Sequence, residues 1–336
     1  MKVLFDHSQP FLLAHGGFQI QIEQTKSGLG RTGVEVSFLR WWDDKQTGDI
    51  IHFFGLPHSG YVEAMRQKRI KLVVTHLLGG LGARHRWKRL MQKLVVGAAM
   101  RGLPAHAFAR TGWKVWQMAD AYVAVTRWEA ELMNEVFCVP HRYVHFVPNG
   151  VDEVFLNQPA IKRGNWLVTT ASILPVKRLL ETAEAAVLAQ TPYWVIGRPF
   201  SESDPYYQGF LRFCREHSQI IRYDNVIRTQ AQLAEVYHQA RGFVLLSRWE
   251  TQSLSALEAA ASECPLLVSN LPWARSTFGT HVSYCPLGSK QTTAEHLRLF
   301  YDQAPMIKPP PKPPTWTEVG KILKKIYEHV LATEEV

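Results

Sequence analysis

The chain has 336 residues, 46% of them apolar and 11% aromatic, which is enough to fill the cores of two ordinary domains. The opening run Met1 to Phe5 is stopped by Asp6 and His7, too early for a signal-peptide core, and the longest later apolar stretch, residues 94–100, falls far short of the roughly 20 needed to span a bilayer. Cys138, Cys214, Cys264 and Cys285 lie far apart, without a CxxC pair or a Cys/His cluster, so free thiols of a cytoplasmic protein are expected and a zinc site is not. The formal net charge of +9 is concentrated: between Ala64 and Ala119 there is no Asp or Glu and there are twelve Lys and Arg, while the rest of the chain is slightly acidic. Such a one-sign field attracts polyanions, namely a phosphorylated glycolipid, an anionic bilayer or nucleic acid.

In chain order, apolar runs at residues 3–5, 34–39, 50–53, 72–75, 121–125 and 143–147 predict six strands, with a helix over 18–29 after the first. Strands alternating with helical patterns indicate a parallel sheet covered on both faces. After the fourth strand, Trp87, Leu90, Met91, Leu94, Val95 and Ala98 recur at helical spacing, forming an apolar stripe beside Arg84, Arg86, Lys88, Arg89 and Lys93. Either that stripe faces the core and leaves an ordinary basic exterior, or it lies on an anionic membrane or glycolipid, with Trp113 and Trp116 extending the contact. Pro148-Asn149-Gly150 forces a turn and Gln158-Pro159 reads as connector, placing the end of the first domain at about residue 155.

The scheme then repeats with strands at 166–170, 193–196, 220–223, 242–246 and 265–269 and helices at 179–189 and 231–240, so residues 156–307 form a second α/β domain. The run KPPPKPP at 308–314 can be neither helix nor central strand and predicts an extended spacer. Beyond it, Thr315 and Glu318 match a capping box, and Val319, Ile322, Leu323, Ile326, Tyr327 and Val330 fall on one stripe of a terminal helix over 315–336.

In open α/β sheets, ligands bind beyond the carboxyl ends of the strands, where glycines allow close approach and helix N-termini attract phosphate. Two places qualify here. Ala14-His15-Gly16-Gly17 follows the first strand; a glycine pair there serves a turn as readily as a ligand. After the 242–246 strand, Ser253, Leu254 and Ser255 open an Ala- and Leu-rich helix whose first N–H groups face the strand-end crevice. Glu250 precedes that helix without a helical partner, and Glu258 lies eight residues later. A carboxylate at 258 suits a ribose or sugar diol, because it accepts two hydroxyl hydrogen bonds, although Ser255-x-x-Glu258 is also a capping box that needs no ligand.

This arrangement resembles the E-x7-E motif of the family-4 retaining glycosyltransferases. Other segments resemble theirs in the same order: Val73-Val74-Thr75-His76, Val147-Pro148-Asn149-Gly150-Val151-Asp152, Ala171 to Arg178, Val195-Ile196-Gly197 and Leu257-Glu258-Ala259-Ala260-Ala261, together with the Trp316 to Leu331 helix. The resemblance implies the GT-B fold: an N-terminal Rossmann-like acceptor domain, a C-terminal donor domain, a cleft between them, and a last helix crossing back. It also implies that Glu258 holds the ribose, Glu250 the donor sugar hydroxyls, and Lys177 the diphosphate. Gly16 and Gly17 would let the N-terminal domain approach the donor, His76 would reach the reacting carbon, and Ser253, Leu254, Ser255, Arg178 and Gly197 would line the donor site. The arginine that the family carries five residues before the lysine is Ser172 here, and its following glycine is Arg178, which would crowd a loop expected to touch phosphate.

No DxD triplet occurs, so a metal-diphosphate ligand set is not expected and no cofactor is called for. The partners implied are a nucleotide-sugar donor and a glycan or glycolipid acceptor, with Arg84, Arg86, Trp87, Lys88 and Arg89 at the acceptor or membrane. Nucleic acid is not expected, since no aromatic or zinc signature accompanies the basic run. The implied activity is retaining sugar transfer in bacterial cell-surface polysaccharide or lipopolysaccharide synthesis, at the inner face of the cytoplasmic membrane. A GT-B-like scaffold without catalysis, with Ser172 as its mark, and a sugar-nucleotide epimerase of the same fold are the competing readings.

Overall fold

The computed structural model describes residues 1–12, 16–104, 107–108, 111–157, 162–225 and 229–333. Ala14 and His15 of the expected glycine loop, Gln158 and Pro159 of the connector, and Arg110 of the basic run lie outside the described residues. The chain divides into two compact units: Met1–Gly150 with Pro314–Val336, and Val151–Pro313.

The first unit holds a six-stranded sheet in the order β2-β1-β3-β4-β5-β6. Its strands are β1 (Lys2–His7), β2 (Glu35–Phe38), β3 (Ile50–Phe54), β4 (Lys71–Thr75), β5 (Ala121–Ala124) and β6 (Val144–Phe146), every pairing parallel. Every residue of β3 is buried, as a strand covered by helices on both faces must be. The helices are α1 (Gly17–Gly30), α2 (Ser59–Gln67), α3 (Gly79–Gly82), α4 (Arg86–Gly102) and α5 (Arg127–Phe137).

The second unit repeats the plan in the order β12-β11-β10-β7-β8-β9, again all parallel. Its strands are β7 (Leu167–Thr170), β8 (Tyr193–Ile196), β9 (Ile221–Asp224), β10 (Gly242–Leu245), β11 (Leu266–Ser269) and β12 (Ser283–Cys285). The helices are α6 (Leu179–Leu188), α7 (Pro205–Glu216), α8 (Gln230–Gln239), α9 (Leu254–Ala261), α10 (Pro272–Phe278) and α11 (Lys290–Gln303). The apolar pattern does not reveal β12, because Ser283-Tyr284-Cys285 contains no aliphatic run and is held as an edge strand by β11 alone.

The break between the units falls after Gly150, ahead of the expected 155, because Val151 and Phe155 are buried in the core of the second unit. The return falls before Pro314, later than the expected 307. Ile307 packs on the second core and Lys312 Nζ lies 3.1 Å from Glu263 Oε1.

The last helix, α12 (Trp316–Ala332), belongs to the first unit. Its capping box is formed as expected, Thr315 accepting from the Glu318 N–H while Glu318 accepts from the Thr315 N–H. The stripe is buried except at Ile322, 38% exposed. Helix α12 packs on α1 through facing glycines: a Cβ on Gly28 would fall 2.1 Å from Trp316 O, and one on Gly320 2.5 Å from Gly28 O. A buried polar contact adds direction, with His52 bridging Tyr327 Oη (2.6 Å) and Thr75 Oγ1 (2.7 Å). Burial pushes the His52 pKa down to about 3, so this imidazole is a neutral structural link.

Candidate functional site

Strands β7 and β10 are neighbours, so the loops leaving their carboxyl ends meet. After β7 the chain runs through a short 3-10 turn, Pro175–Lys177; after β10 it runs through 246–253 into α9. The Arg248 N–H donates to Val176 O (2.8 Å), tying the two loops together. Across this tie Lys177 Nζ donates to Glu250 Oε1 in a half-buried ion pair, and Ser247 Oγ donates to the same oxygen (2.7 Å). Two side chains assigned from separate motifs therefore form one polar unit, with an ammonium group held at the strand ends by a carboxylate.

Glu258 is the fifth residue of α9. The N-cap is Ser253, whose Oγ accepts from the Ala256 N–H (3.3 Å), so Ser255 and Glu258 do not form the alternative capping box. The Leu254 and Ser255 N–H groups are among those a helix cannot satisfy internally. Glu258 Oε2 instead accepts from the Tyr237 hydroxyl (3.2 Å), which also shares a hydrogen bond with Thr170 Oγ1 at the end of β7. Burial, with a smaller push from the Asp152 carboxylate, raises the Glu258 pKa to about 7 against the opposing Tyr237 hydrogen bond. Lys177, Glu250 and Glu258 thus share one edge of one sheet. Tyr237, Thr170 and Ser247 complete the set without any signal in the sequence, Tyr237 being a residue of α8 indistinguishable by pattern from a core aromatic.

Arg178 takes a left-handed backbone (φ 54°), the conformation a glycine adopts freely and an arginine only against about 1 kcal/mol. Its guanidinium does not stand out into the loop. Arg178 is 9% exposed, close enough to Cys285 to offset a little of the burial that pushes that thiol up to about 11, and Arg178 Nη1 is buried without a hydrogen-bond partner among the described residues. The expected crowding is avoided by turning the side chain inward. Gly197 (φ 155°) has a different necessity: a Cβ there would lie 1.9 Å from Ala171 O, so its bare Cα lets the β7 exit pass.

In the first unit, Gly16 caps α1 at φ 136° with open space where a side chain would stand, and Gly17 begins the helix. His76 follows β4, half-buried and edge-to-face on Trp116 (5.7 Å between centroids); burial lowers its pKa, which favours the neutral ring. Glu129 Oε1 accepts the Leu78 N–H (2.6 Å) and steadies the same segment. Trp116 does not extend any surface, contrary to expectation: it is 2% exposed and stacked between Tyr122 and Phe137.

The apolar stripe of α4 is not core-facing. Trp87, Leu90, Met91, Leu94 and Val95 are 52–58% exposed, while α4 is anchored from its other side by Val96 and Ala99. Arg89 belongs to that anchored side, its guanidinium 4.4 Å from the Trp128 ring centroid, so it is a packing residue rather than a free surface cation. No helix among the described residues is long and apolar enough to cross a membrane, and no three His, Cys, Asp or Glu side chains among them group as metal ligands.

Residues 168–302 match the family model of the glycosyl transferases group 1. A comparison with curated proteins finds no match. Among solved structures, the Anabaena protein HepE in complex with UDP and glucose is similar at 11% identity and a TM-score of 0.66, over 98% of this chain and 99% of that one. Sucrose-phosphate synthase from Thermosynechococcus elongatus is similar at 14% identity and a TM-score of 0.67, over 99% and 100%. AviGT4, a glycosyltransferase involved in avilamycin A biosynthesis, gives 15% and 0.57, over 98% of both chains. At these identities the likeness is one of fold. The second unit matches the family model of the group 1 glycosyl transferases over residues 168–302, and the chain over nearly its whole length has the two-Rossmann-domain GT-B fold of these solved structures.

Proposed function

We propose that the chain transfers a sugar, with retention of configuration, from a nucleotide-diphosphate sugar to a glycan or glycolipid acceptor. The observation that carries this reading is the gathering of Lys177, Glu250 and Glu258 at the β7 and β10 ends beside the N-terminus of α9. An ammonium group and exposed amide hydrogens are what a departing diphosphate requires, because they meet its developing charge without reorganising. Glu258 has one oxygen engaged by Tyr237 and takes the ribose hydroxyls. Glu250, now paired with Lys177, takes donor sugar hydroxyls as the lysine turns to the phosphates. No divalent metal is needed in this reading, since Lys177 and the α9 N-terminus supply the positive charge. The first-unit residues that the resemblance assigns to the donor are His76, a neutral ring against Trp116 just after β4, and Gly16 and Gly17 at the start of α1. UDP is the first nucleotide to test, because the HepE structures and the pneumococcal O-GlcNAc transferase structure are complexes with UDP or UDP-glucose.

The test is release of nucleoside diphosphate from a panel of UDP-, GDP- and ADP-sugars. Wild type should turn over at least one donor and give an α-linked product from an α-linked donor. Lys177→Met should lower turnover by a hundredfold or more, and Glu250→Gln by tenfold or more. Inverted product, or no turnover with any donor, sinks the reading; in the second case the Ser172 scaffold stands instead.

The exposed stripe of α4 supports a place at a membrane surface, as in synthesis of cell-surface polysaccharide or lipopolysaccharide on the cytoplasmic face. Five large apolar side chains in solvent, flanked by Arg84, Arg86, Lys88 and Lys93 with no acidic residue nearby in sequence, have the make-up of an interfacial helix on anionic lipid.

A further inference from the structure

The loop between β2 and β3 presents an arrangement that neither its own folding nor the donor site explains. The Asp43 N–H donates to Arg40 O (3.0 Å), closing a β-turn whose two central residues are Trp41 and Trp42. Those positions ordinarily fall to Gly, Pro, Asn, Asp or Ser, each for a conformational reason that tryptophan does not meet. Within the turn itself the bracing comes from other side chains. Arg40 Nη2 pairs with Asp43 Oδ2 (2.5 Å), Gln46 Oε1 accepts from the Arg40 N–H (2.8 Å), and Gln46 Nε2 donates to Phe38 O (3.0 Å).

The two rings are nevertheless left in solvent, Trp41 at 72% and Trp42 at 83% exposure. Trp41 is aimed. Its Nε1–H reaches Asp6 Oδ1 (3.4 Å) and its ring lies 6.0 Å from that of Tyr61. Asp6 is itself 4% exposed and fixed by the Tyr61 hydroxyl (2.7 Å). The pair therefore stands at the carboxyl ends of β1 and β2, the ligand-bearing edge of such a sheet.

We propose that Trp41 and Trp42 form a stacking platform for a saccharide ring, the acceptor subsite of this chain; its role as acceptor site rests on the transferase reading, whereas its binding of sugar does not. A pyranose has an apolar C–H face and a hydroxyl rim. The turn offers an indole face bordered by charges of both signs, Arg40, Asp43, Asp44 and Lys45. That mixture matches a polyol rim. It is unlike the wholly basic border of α4, which matches anionic lipid.

The experiment is saturation-transfer difference NMR on the full chain with methyl β-glucoside, methyl β-galactoside, methyl α-mannoside and N-acetylglucosamine as probes. A thermal shift with UDP and pelleting with phosphatidylglycerol vesicles run in parallel. At least one sugar should show transfer concentrated on the protons of one ring face. Trp42→Ala, at the more exposed position, should reduce it fivefold or more, Trp41→Phe should retain most of it, and the UDP shift should be unchanged in both. The proposal is overturned if no probe shows transfer to wild type or if Trp42→Ala behaves as wild type. Loss of vesicle pelleting with intact sugar transfer in Trp42→Ala also overturns it, making the turn a lipid anchor. Absence of a UDP shift in wild type strikes the donor reading alone, and the sugar result still decides this one.

Discussion

Glu258→Gln separates what this carboxyl does for function from what it does to stability. In the folded chain its pKa stands at about 7 against an ordinary 4.5, chiefly through burial. The native state therefore holds the proton more tightly than the unfolded state does. As pH rises from about 4.5 through 7, unfolding comes to release that proton, and stability falls. At about 1.4 kcal/mol per tenfold change in proton affinity, the full difference is about 3 kcal/mol; partial solvent contact reduces the expected effect to about 2 kcal/mol. Glutamine keeps the shape and accepts from Tyr237 without carrying a charge, so the variant should match wild type near pH 4.5 and exceed it by about 2 kcal/mol at pH 8.5. Urea unfolding at both pH values measures this. A difference independent of pH, or a variant less stable than wild type at pH 8.5, would refute the placement of Glu258 in a water-poor site. A stabilising change that abolishes nucleotide binding is what a carboxylate retained for its ligand should give.

Four further outcomes follow from the geometry. Arg163 donates to the carbonyls of Tyr237, His238, Ala240, Ser262 and Glu263, joining the C-terminal ends of α8 and α9, so Arg163→Ala should lower stability by about 3 kcal/mol, read as a shifted unfolding midpoint. Any side chain at Gly197 must displace Ala171 O, so Gly197→Ala should destabilise the second unit and raise the Michaelis constant for donor, in steady-state kinetics, more than it lowers turnover. Turnover should survive excess chelator; complete loss restored by magnesium would remove the metal-free reading. Changing Arg84, Arg86 and Lys88 to Gln should weaken pelleting with anionic vesicles tenfold or more at low salt. Arg89 is left in place because it packs on Trp128, and unchanged pelleting would dismiss α4 as a docking face.

The strands and main helices are legible in the sequence because parallel strands between helix layers read as unbroken apolar runs, as at residues 50–54 and 242–245, both wholly buried. Edges are less legible: β12 has one neighbour and no aliphatic run. The division between units turns on which core receives Val151, Phe155 and Ile307, a tertiary choice that no local pattern records. Glu250, Glu258 and Lys177 are visible as motif residues, but their partners are not. Tyr237 reaches Glu258 from another helix, and the Lys177–Glu250 pair closes across 73 residues of sequence. The direction of the α4 stripe could not be decided from its period either, since an inward and an outward apolar face have the same spacing; the cation–π contact of Arg89 with Trp128 on α5 shows which side is anchored.

The central claim is that a nucleoside diphosphate binds at the β7 and β10 edge through Glu258 and Lys177. Thermal unfolding with UDP, GDP, ADP and CMP addresses it most directly, on wild type and on Glu258→Ala. A ligand at a hundredfold excess over its dissociation constant adds about 2.7 kcal/mol to the native state. One diphosphate should raise the wild-type midpoint by several degrees and leave the variant's unmoved. Equal shifts in both proteins, or none in wild type with any nucleotide, would contradict the account.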